Sequence, residues 1–360
     1  MKELGVKNRC RIFEIPQNIE YITAMPRMKK YIEYSANIYE IYLKYVSKDD
    51  ILVYSIDECF LDITSYMKMY QKNAIEMANM IIDDVYKTTN ICATAGIGTN
   101  LFLAKVALDV TAKHSKTHIG YLNEEKFKKE IWHHQPISDI WNIGHGIENR
   151  LKKYGVYDLY GILQLKEEIL YKEFGVNAEL LIDHAKGIEP CTIKDVNNYK
   201  AKSNSLSNNQ ILFEDYTYDD AFLAFKEMIE LNVLELVDKN LVTNCISIYV
   251  GYSKDIIKAT SASMKLDEYT NSYFKLNEYF ISMFKKNVNK NYYIRRLGIG
   301  FNNVVDEAYQ TINLFTDIEK EKKEKKLQKA ILDVKKKYGK NSILKAMNLQ
   351  EKATTIKRNK

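Results

Sequence analysis

The order of apolar and polar positions in the first third of the chain predicts strands and helices in turn. Two runs rich in β-forming residues, "DILVYSI" and "CFLDIT", occupy residues 50–56 and 59–64. Residues 73–89 have apolar positions at helical spacing. These positions are Ile75, Met77, Met80, Ile81 and Val85. "ICATAGIG" at 91–98 then predicts a buried strand, and "NLFLAKVALDVTAK" at 100–113 a further helix. This order predicts a mixed α/β layer.

The rest of the chain divides into a helical stretch, a polar connection and a second α/β unit. Residues 121–190 carry short helical patterns separated by Gly turns, and residues 191–206 are polar with little periodicity, which is typical of a linker. Strands are predicted at "NCISIYVGYS" and "IRRLGIGF", and helices at "YDDAFLAFKEMIELNVLELVDK" and "FKLNEYFISMFKKNV". From residue 317 a Lys/Glu-rich pattern predicts a solvated helix supported by i,i+4 pairs, and the polar end "ATTIKRNK" predicts a frayed tail.

Composition narrows the cellular setting more than the fold. The 360 residues leave room for two or three domains, and an apolar fraction of 46% is ordinary for globular proteins. The five cysteines form no C-x-x-C pair, which favours buried thiols in a reducing compartment. No apolar run reaches about 18 residues and no signal-peptide core is found near the start, so we expect a cytoplasmic protein without a membrane partner. The net charge of +6 is compatible with a polyanionic partner but is weak evidence alone.

Two adjacent acids interrupt the strand-like run "YSIDECFLDIT" at residues 54–64. Asp57 and Glu58 lie where a two-residue hairpin turn is expected, yet such turns prefer Gly or Asn because they need positive φ. Adjacent carboxylates repel each other unless a cation lies between them, and carboxylates that hold two divalent ions about 4 Å apart are a common centre for phosphoryl transfer. The stretch is equally compatible with a solvated hairpin tip. The same dipeptide occurs twice more in the chain, so the pair alone identifies nothing.

Further segments match motifs of one protein family in the order in which that family carries them. They are "YSIDECFLDIT", "AGIGTNLFLAKVALDVTAK", "PISDIWNIGHGIENRLKKYGV", "LLIDHAKGIE", "KSNSLSNNQIL", "YYIRRLGIGFNNV" and "QTINLF". Through these residues the chain resembles the Y-family translesion DNA polymerases, especially their UmuC-like branch. The resemblance runs over essentially the whole chain, and several ordered matches are far more specific than any one of them.

The resemblance implies a multidomain α/β (α+β) fold of the right-hand polymerase type. It implies a partial palm, a helical thumb with a helix–hairpin–helix, and an α/β little finger. The implied segments are 1–28 (remnant of the fingers), 29–119 (incomplete palm), 120–190 (thumb), 191–206 (linker), 207–309 (little finger), 310–315 (clamp-binding peptide) and 316–360 (charged helical tail).

The resemblance also implies a metal site and a nucleotide site. Asp57 would bind two Mg²⁺ ions, and Glu58 would bind the ion that activates the primer 3′-hydroxyl. The reaction would be an in-line displacement on the α-phosphate of a deoxynucleoside triphosphate. Lys113 matches the family's lysine that reaches the triphosphate, where it acts as a mobile point charge. Lys2 matches the basic member of a triphosphate-contacting pair, whereas Lys105 fits a packing or surface position.

The thumb and little finger are implied to hold primer–template DNA. Ile143, Gly144 and Gly146 would form a hairpin whose backbone amides approach a phosphate closely. Arg295 and Arg296 are adjacent on a predicted strand and should therefore point to opposite faces, so that one of them reaches the duplex backbone.

"QTINLF" resembles a peptide that binds a sliding clamp. Gln310 would be its polar anchor, and Ile312, Leu314 and Phe315 would fill an apolar groove on the clamp. UmuD-like or RecA-like accessory proteins are further partners that the UmuC-like resemblance suggests.

The chain departs from the family at its start. Family members begin with a strand that carries a third metal-binding aspartate, followed by an aromatic steric gate, and no early Asp in this chain has that context. Two carboxylates should hold two Mg²⁺ ions poorly, and a missing central strand should leave a groove in the palm core. We therefore expect an upstream extension of the reading frame, an interrupted gene or a genuinely short protein.

Three functions remain open from the sequence. The first is template-directed, error-prone translesion DNA synthesis in DNA repair and the SOS response. The second is a non-catalytic remnant that binds damaged DNA and the clamp. The third is an unrelated metal-dependent nuclease or phosphotransferase that uses Asp57 and Glu58. The DNA upstream of the gene would discriminate the first two, and cleavage without added nucleotides would identify the third.

Overall fold

The structure, a computed structural model, describes residues 1–6, 10–311 and 317–359, apart from the side chains of Lys2 and His114. It forms two compact units, Met1–Tyr199 and Lys200–Lys360. The unit boundary falls inside the predicted linker at 191–206. No helix within the described ranges is both long and apolar enough to span a bilayer.

The first unit combines four short strands with ten helices among its described residues. The strands are β1 (Ile51–Val53), β2 (Cys59–Leu61), β3 (Ala95–Gly98) and β4 (Ile119–Leu122). The helices are α1 (Met28–Tyr42), α2 (Thr64–Tyr70), α3 (Ala74–Thr89), α4 (Leu101–Val106), α5 (Glu124–Glu130), α6 (His145–Lys152), α7 (Leu159–Gln164), α8 (Glu167–Phe174), α9 (Asn177–Lys186) and α10 (Ile193–Asn198). The elements of the predicted strand–strand–helix–strand–helix order are present as β1, β2, α3, β3 and α4, with α2 as an additional helix between β2 and α3.

The strands of the first unit form two separate pairs. β1 and β2 are antiparallel, with Val53 opposite Cys59, and β3 and β4 are parallel. β3 packs backbone to backbone on the helix that follows it. A Cβ atom at Gly96 would lie 2.2 Å from both the carbonyl oxygen of Ala104 and the amide nitrogen of Leu108. Only glycine fits this approach, which explains the small residues of "AGIG".

A cavity of about 390 Å³ lies beside β2 and β3. Its apolar wall includes Ile81 and Val85 of α3, and its polar wall includes Glu58 and Lys105. A groove in this layer was expected from the sequence. The cavity leaves unfilled volume directly beside Glu58.

The helical part of the first unit shares its core with α4. Phe102 of α4 packs edge-on against Phe127 of α5, and its ring stacks on His184 of α9 with centroids 4.0 Å apart. The side-chain amide of Asn100 also donates to the carbonyl oxygen of Gly187 at 2.9 Å. These contacts fix the segment that carries the predicted helix–hairpin–helix to the strand–helix layer.

The predicted linker is shorter than expected, because α10 lies within it. Thr192 caps this helix by accepting from the amide of Asp195, and the Asp195 side chain accepts from the amide of Thr192. Ile193 is buried, and the side-chain amide of Asn197 donates to the carbonyl oxygen of Asp49. Polar composition hid this short helix, since capping residues look like loop residues in a sequence.

The second unit is an antiparallel sheet with helices on one face. Its elements are β5 (Leu206–Tyr216), α11 (Tyr218–Asp238), β6 (Leu241–Tyr252), β7 (Thr260–Thr270), α12 (Tyr273–Asn287), β8 (Ile294–Asn302), β9 (Val305–Asp306), α13 (Ile318–Tyr338) and α14 (Thr355–Arg358). The strand order is β5-β8-β6-β7, and β9 pairs with β6. Ile248 and Phe301 on the sheet share one core with Phe225 of α11 and Phe280 of α12. The strands and helices predicted for this unit are confirmed.

The end of the chain is packed rather than frayed, so that prediction is wrong. Glu324 of α13 is 8% exposed and accepts from the Ser272 hydroxyl at 2.7 Å and the Phe274 amide at 3.1 Å. Glu227 of α11 is 1% exposed and accepts from the amide of Thr354 at 2.6 Å. The polar residues that suggested solvent exposure are the ones that bind the tail to the rest of the unit.

Candidate active site

The acid pair lies at the connection between β1 and β2. The amides of Tyr54 and Ser55 both donate to the carbonyl oxygen of Glu58 at 3.0 Å, which closes the hairpin. The connection is longer than the expected two residues, because regular pairing ends at Val53 and resumes only at Cys59. Positive φ is therefore not required of Asp57 or Glu58. This geometry removes the conflict between turn preference and an Asp-Glu sequence.

Each carboxylate of the pair has one oxygen engaged within the structure. The hydroxyl of Ser55 donates to Asp57 Oδ1 at 2.7 Å, which orients the Asp57 carboxylate at the exposed tip. Lys105 Nζ lies 2.7 Å from Glu58 Oε2. The other oxygen of each carboxylate is the atom that would bind a cation.

Lys105 is buried, so the surface alternative is wrong, and its buried position includes two ion pairs. Its side chain is 8% exposed, and its ammonium also lies 3.1 Å from Asp109 Oδ2. Burial by itself would lower the pKa of Lys105, but the hydrogen bonds that its ammonium donates to Glu58 and Asp109 outweigh burial and raise the pKa above its ordinary value. Lys105 therefore stays charged, as a buried cation with two carboxylate partners should.

A π-helical turn at Ala107–Thr111 continues α4 and carries Asp109. Asp109 accepts from Lys105 on one side and from Lys113 Nζ on the other, the latter at 2.6 Å. The Lys113 side chain is 49% exposed, so its ammonium can reach solvent. π-helical turns are rare and are often found at functional sites. The structure thus joins Glu58 and Lys113, two predicted site residues, through Lys105 and Asp109.

An aromatic cluster supports the acid hairpin from the helical side. The Trp141 indole donates to the hydroxyl of Tyr54 at 2.9 Å, and both rings contact Phe60. Lys105 Nζ lies 5.5 Å from the centre of the Tyr54 ring, within cation–π range. The contact of Trp141 with "YSIDE" had no signal in the sequence because 87 residues separate the two partners.

The donors suit a hard divalent cation, although in limited number. Carboxylate oxygens are the ligands that such ions prefer. In the described part of the chain, no group of three or more His, Cys, Asp or Glu side chains is arranged to hold a metal ion. Asp57 and Glu58 therefore fit one divalent ion, and by themselves they fall short of a two-ion site.

The residues of the predicted hairpin lie at the start of α6, and they differ in what they expose. Ile143 is 3% exposed, so its side chain is in the core and only its backbone is available to a phosphate. No atom lies within 4 Å of a Cβ built on Gly144, the residue that precedes α6, or on Gly146. Asn142 has φ of 69° at the position where the family usually has Gly, which is a conformation that Asn tolerates. The first turn of α6 therefore presents open backbone.

Inside α6, Glu148 is bound by two basic neighbours. It accepts from Lys152 at 2.8 Å and from His145 at 3.0 Å. The Lys152 ammonium, followed by His145, lowers the pKa of Glu148 to about 2. Lys152 is therefore partly neutralised in the place where it could contact phosphate.

The open face of the second unit's sheet consists of small and polar residues. In register across β5, β8, β6 and β7 lie Ser207, Gly300, Ser247 and Ser263, and next to them Asn209, Gly298, Tyr249 and Ser261. Arg296 is exposed at the end of this face, where its side chain lies over Gly251. A register shift places Arg295 at a bulge, 3.7 Å from Asp215. Simple alternation of the two arginines therefore does not hold at this point.

Some predicted residues lie outside what the structure describes. They are Ile312, Leu314 and Phe315 of the peptide "QTINLF" and the side chain of Lys2. Gln310 is described, and its side-chain amide donates to Glu321 Oε2 at 3.3 Å.

Comparison with known proteins places the chain in a family. A model described as the impB/mucB/samB family matches residues 1–109, and the model of that family's C-terminal domain matches residues 203–314. The chain belongs to the impB/mucB/samB family. The family assignment confirms the resemblance to Y-family translesion polymerases. Asp57, Glu58 and Asp109 lie in the first matched range, and Arg295 and Arg296 lie in the second.

Relatives of this impB/mucB/samB chain are named as repair proteins and polymerases. The putative UV-damage repair protein UvrX of Bacillus subtilis (strain 168) is 28% identical over 359 residues, which are 99% of this chain and 84% of UvrX. DNA polymerase IV 2 of the same organism is 27% identical and covers 97% of this chain. The DNA repair protein homolog YobH is 31% identical over 50% of this chain and 82% of YobH.

A solved structure has the same fold. A Y-family DNA polymerase chimera of Dbh and Dpo4 superposes with a TM-score of 0.59, at 22% identity and over 78% of each chain. The predicted fold class, a multidomain α/β polymerase fold, is thereby confirmed.

Proposed function

We propose that this chain performs template-directed, error-prone DNA synthesis opposite damaged bases, as a DNA-directed DNA polymerase of the impB/mucB/samB family. The observation that carries the proposal is the exposed Asp57-Glu58 hairpin, joined through Lys105 and Asp109 to Lys113. It combines metal-binding acids with a mobile phosphate-binding cation within one layer of the fold.

In this proposal Asp57 and Glu58 hold Mg²⁺ at the hairpin tip. When bound, Mg²⁺ supplies positive charge that stabilises the anionic phosphoryl group during in-line displacement. The Ser55 hydroxyl keeps the Asp57 carboxylate in place, and Lys105 holds Glu58. The Lys113 ammonium separates from Asp109 and binds the triphosphate of the incoming deoxynucleotide as a point charge. Lys2 is proposed as a second triphosphate contact.

Primer–template DNA is proposed to bind to two backbone-rich surfaces, one in each unit. The amides of Gly144 and Gly146, with the backbone of Ile143, face phosphate at the start of α6. Arg296 and the Ser/Gly face of the sheet follow the duplex backbone in the second unit, with Arg295 beside them. Such contacts grip DNA without reading its sequence, which suits a polymerase that accepts damaged templates.

Partners beyond DNA and nucleotides follow from the peptide "QTINLF". We propose that Gln310, Ile312, Leu314 and Phe315 bind a sliding clamp, and that UmuD-like or RecA-like proteins act with this chain during an SOS response. Addition of the clamp should raise the number of nucleotides added per binding event, and Leu314→Ala/Phe315→Ala should remove that gain while leaving clamp-free extension unchanged.

A non-catalytic role in binding damaged DNA and the clamp is the second candidate. It is favoured by the acid count, since no group of three or more carboxylate, His or Cys side chains among the described residues is arranged to hold a metal ion. The Lys105 ammonium also neutralises part of the charge that a metal ion needs.

Primer extension separates the two candidates. The full chain, with Mg²⁺ and all four deoxynucleotides, is tested on undamaged and abasic templates beside Asp57→Ala/Glu58→Ala. The matched control is Asp83→Ala, an exposed acid on α3. Extension that the double variant loses and the control keeps supports synthesis at this site. Retained DNA binding without extension supports the non-catalytic role, and extension that survives in the double variant contradicts the proposed site.

A further inference from the structure

Four charged side chains form a continuous line through the candidate site. Glu58 Oε2 lies 2.7 Å from Lys105 Nζ, which lies 3.1 Å from Asp109 Oδ2. Asp109 Oδ1 lies 2.6 Å from Lys113 Nζ. Charges alternate along the line, so each inner member is shared between two partners of opposite sign.

The line is asymmetric in exposure. The Lys105 side chain is 8% exposed and pairs with both Glu58 and Asp109, whereas that of Lys113 is 49% exposed and can turn to solvent. The inner lysine is closer to Glu58 than to Asp109, at 2.7 Å against 3.1 Å. In the structure, Asp109 therefore pairs with two cations, and Lys105 pairs more closely with Glu58 than with Asp109.

We propose that Asp109 is a positioning residue that makes metal binding at Glu58 depend on whether Lys113 is occupied. When a phosphate takes Lys113 away, the whole Asp109 carboxylate attracts Lys105. Lys105 then moves from Glu58 towards Asp109, and Glu58 binds a divalent cation more tightly. This inference rests on the proposed function, in which Lys113 binds triphosphate and Glu58 binds metal.

Electrostatics favours this exchange over a rearrangement of the fold. Lys105 already contacts both carboxylates, so a shift of a few tenths of an ångström decides which contact is shorter. Coulomb energies at such distances are large outside bulk water, and they respond to the loss of a neighbouring charge. The π-helical turn at Ala107–Thr111 places Asp109 between Lys105 and Lys113.

The test is the affinity of the nucleotide-free full chain for Mn²⁺, measured by electron paramagnetic resonance without DNA. Lys113→Met frees Asp109 for Lys105 and should tighten Mn²⁺ binding about fivefold, whereas Asp109→Asn leaves Lys105 to Glu58 and should weaken it about fivefold. The double variant Lys113→Met/Asp109→Asn decides the matter. Without Asp109, the loss of Lys113 cannot draw Lys105 away from Glu58, so this double variant should bind Mn²⁺ as weakly as Asp109→Asn alone.

Simple addition of charges gives a different result. If Lys113 and Asp109 acted only as independent charges, their removal would cancel and the double variant would bind Mn²⁺ like the unmodified chain. That result would overturn the proposal. Lys116→Met removes an exposed charge three residues from Lys113 and should leave the affinity unchanged. A change there equal to that of Lys113→Met would also overturn it.

The outcome can be told apart from failure of the proposed function. Mn²⁺ binding that Asp57→Ala/Glu58→Ala removes, combined with additive Lys113 and Asp109 effects, overturns the exchange and leaves the metal site intact. Mn²⁺ binding that the double alanine variant keeps overturns both proposals. Circular dichroism on every variant establishes that a change in affinity comes from a folded protein.

Discussion

Two glutamates, one in each unit, show how differently this molecule uses a carboxylate. Glu58 is 25% exposed on its side chain and is bound by a single lysine that is shared with Asp109. Glu227 is 1% exposed and accepts from Asn348 Nδ2 at 2.8 Å and from the amide and hydroxyl of Thr354 at 2.6 and 3.0 Å. A metal cation can replace the lysine that binds Glu58, but it cannot replace the buried donors that bind Glu227.

The difference lies in the donors. A lysine shared between two carboxylates loses little when it moves from one to the other, because it remains paired. The donors to Glu227 are uncharged groups more than 120 residues away in sequence, and each would be left buried without a partner if the carboxylate were removed. Glu227 therefore holds the end of the chain, while Glu58 is available for chemistry.

The largest expected effect is on activity at Glu58. Glu58→Gln should lower the rate of primer extension about 100-fold or more, because it removes a charged metal ligand. The free energy of unfolding should change by less than about 1 kcal/mol, since Lys105 keeps Asp109 as a partner. Single-turnover extension and urea unfolding measure the two quantities. A large loss of stability would show that Glu58 is structural, as Glu227 is.

The next effect is on stability at Glu227. Glu227→Gln should lower the free energy of unfolding by about 3 kcal/mol, because one of the two acceptor oxygens becomes an NH2 group that faces buried donors. Glu235→Gln on the same helix is the control. Glu235 pairs with Lys239 on the surface, so its loss should cost no more than about 0.5 kcal/mol. Equal losses in the two variants would mean that the tail contributes nothing to the unit.

These same residues show which features could be predicted from the sequence and which could not. The apolar spacing in α3 and the β-rich runs around Asp57 were sufficient to predict their elements, because both patterns are local. The role of Lys105 was not predictable, since its partner Glu58 lies 47 residues away. The packed tail was missed for the same reason. Its Lys and Glu residues are typical of a solvated helix. Only the structure shows that Glu227 and Glu324 are buried and accept hydrogen bonds that hold the tail.

Removal of the shared lysine, Lys105, tests how far Glu58 and Asp109 depend on it. Lys105→Met removes the cation that Glu58 and Asp109 share and leaves both carboxylates without it, so the free energy of unfolding should fall by about 2 kcal/mol. Primer extension should fall about tenfold, because Glu58 and Asp109 then repel each other and lose their orientation. Lys44→Met, which removes a more exposed lysine bonded to Asp84, is the control for extension. Wild-type extension by Lys105→Met would show that the line of charges is dispensable.

Glu148 is an intermediate case, and it makes the smallest contribution. Lys152 and His145 lower its pKa from the usual value near 4.5 to about 2 in the folded protein. A carboxylate whose pKa is depressed by folding adds stability above its unfolded pKa and loses that contribution as the pH falls. The contribution of Glu148 should therefore be complete above about pH 4.5 and disappear towards pH 2.

The measurement compares the urea midpoint of the wild type and Glu148→Gln from pH 6 down to the lowest pH at which both fold. The gap between the two should be widest at pH 6 and should narrow below pH 4.5, because protonation makes the wild-type side chain neutral like Gln. Glu167→Gln, at the exposed start of α8, is the matched control. A gap that stays constant with pH would mean that Glu148 stabilises α6 through its shape rather than its charge. Glu148 would then belong with Glu227, as a carboxylate that holds structure without exchange.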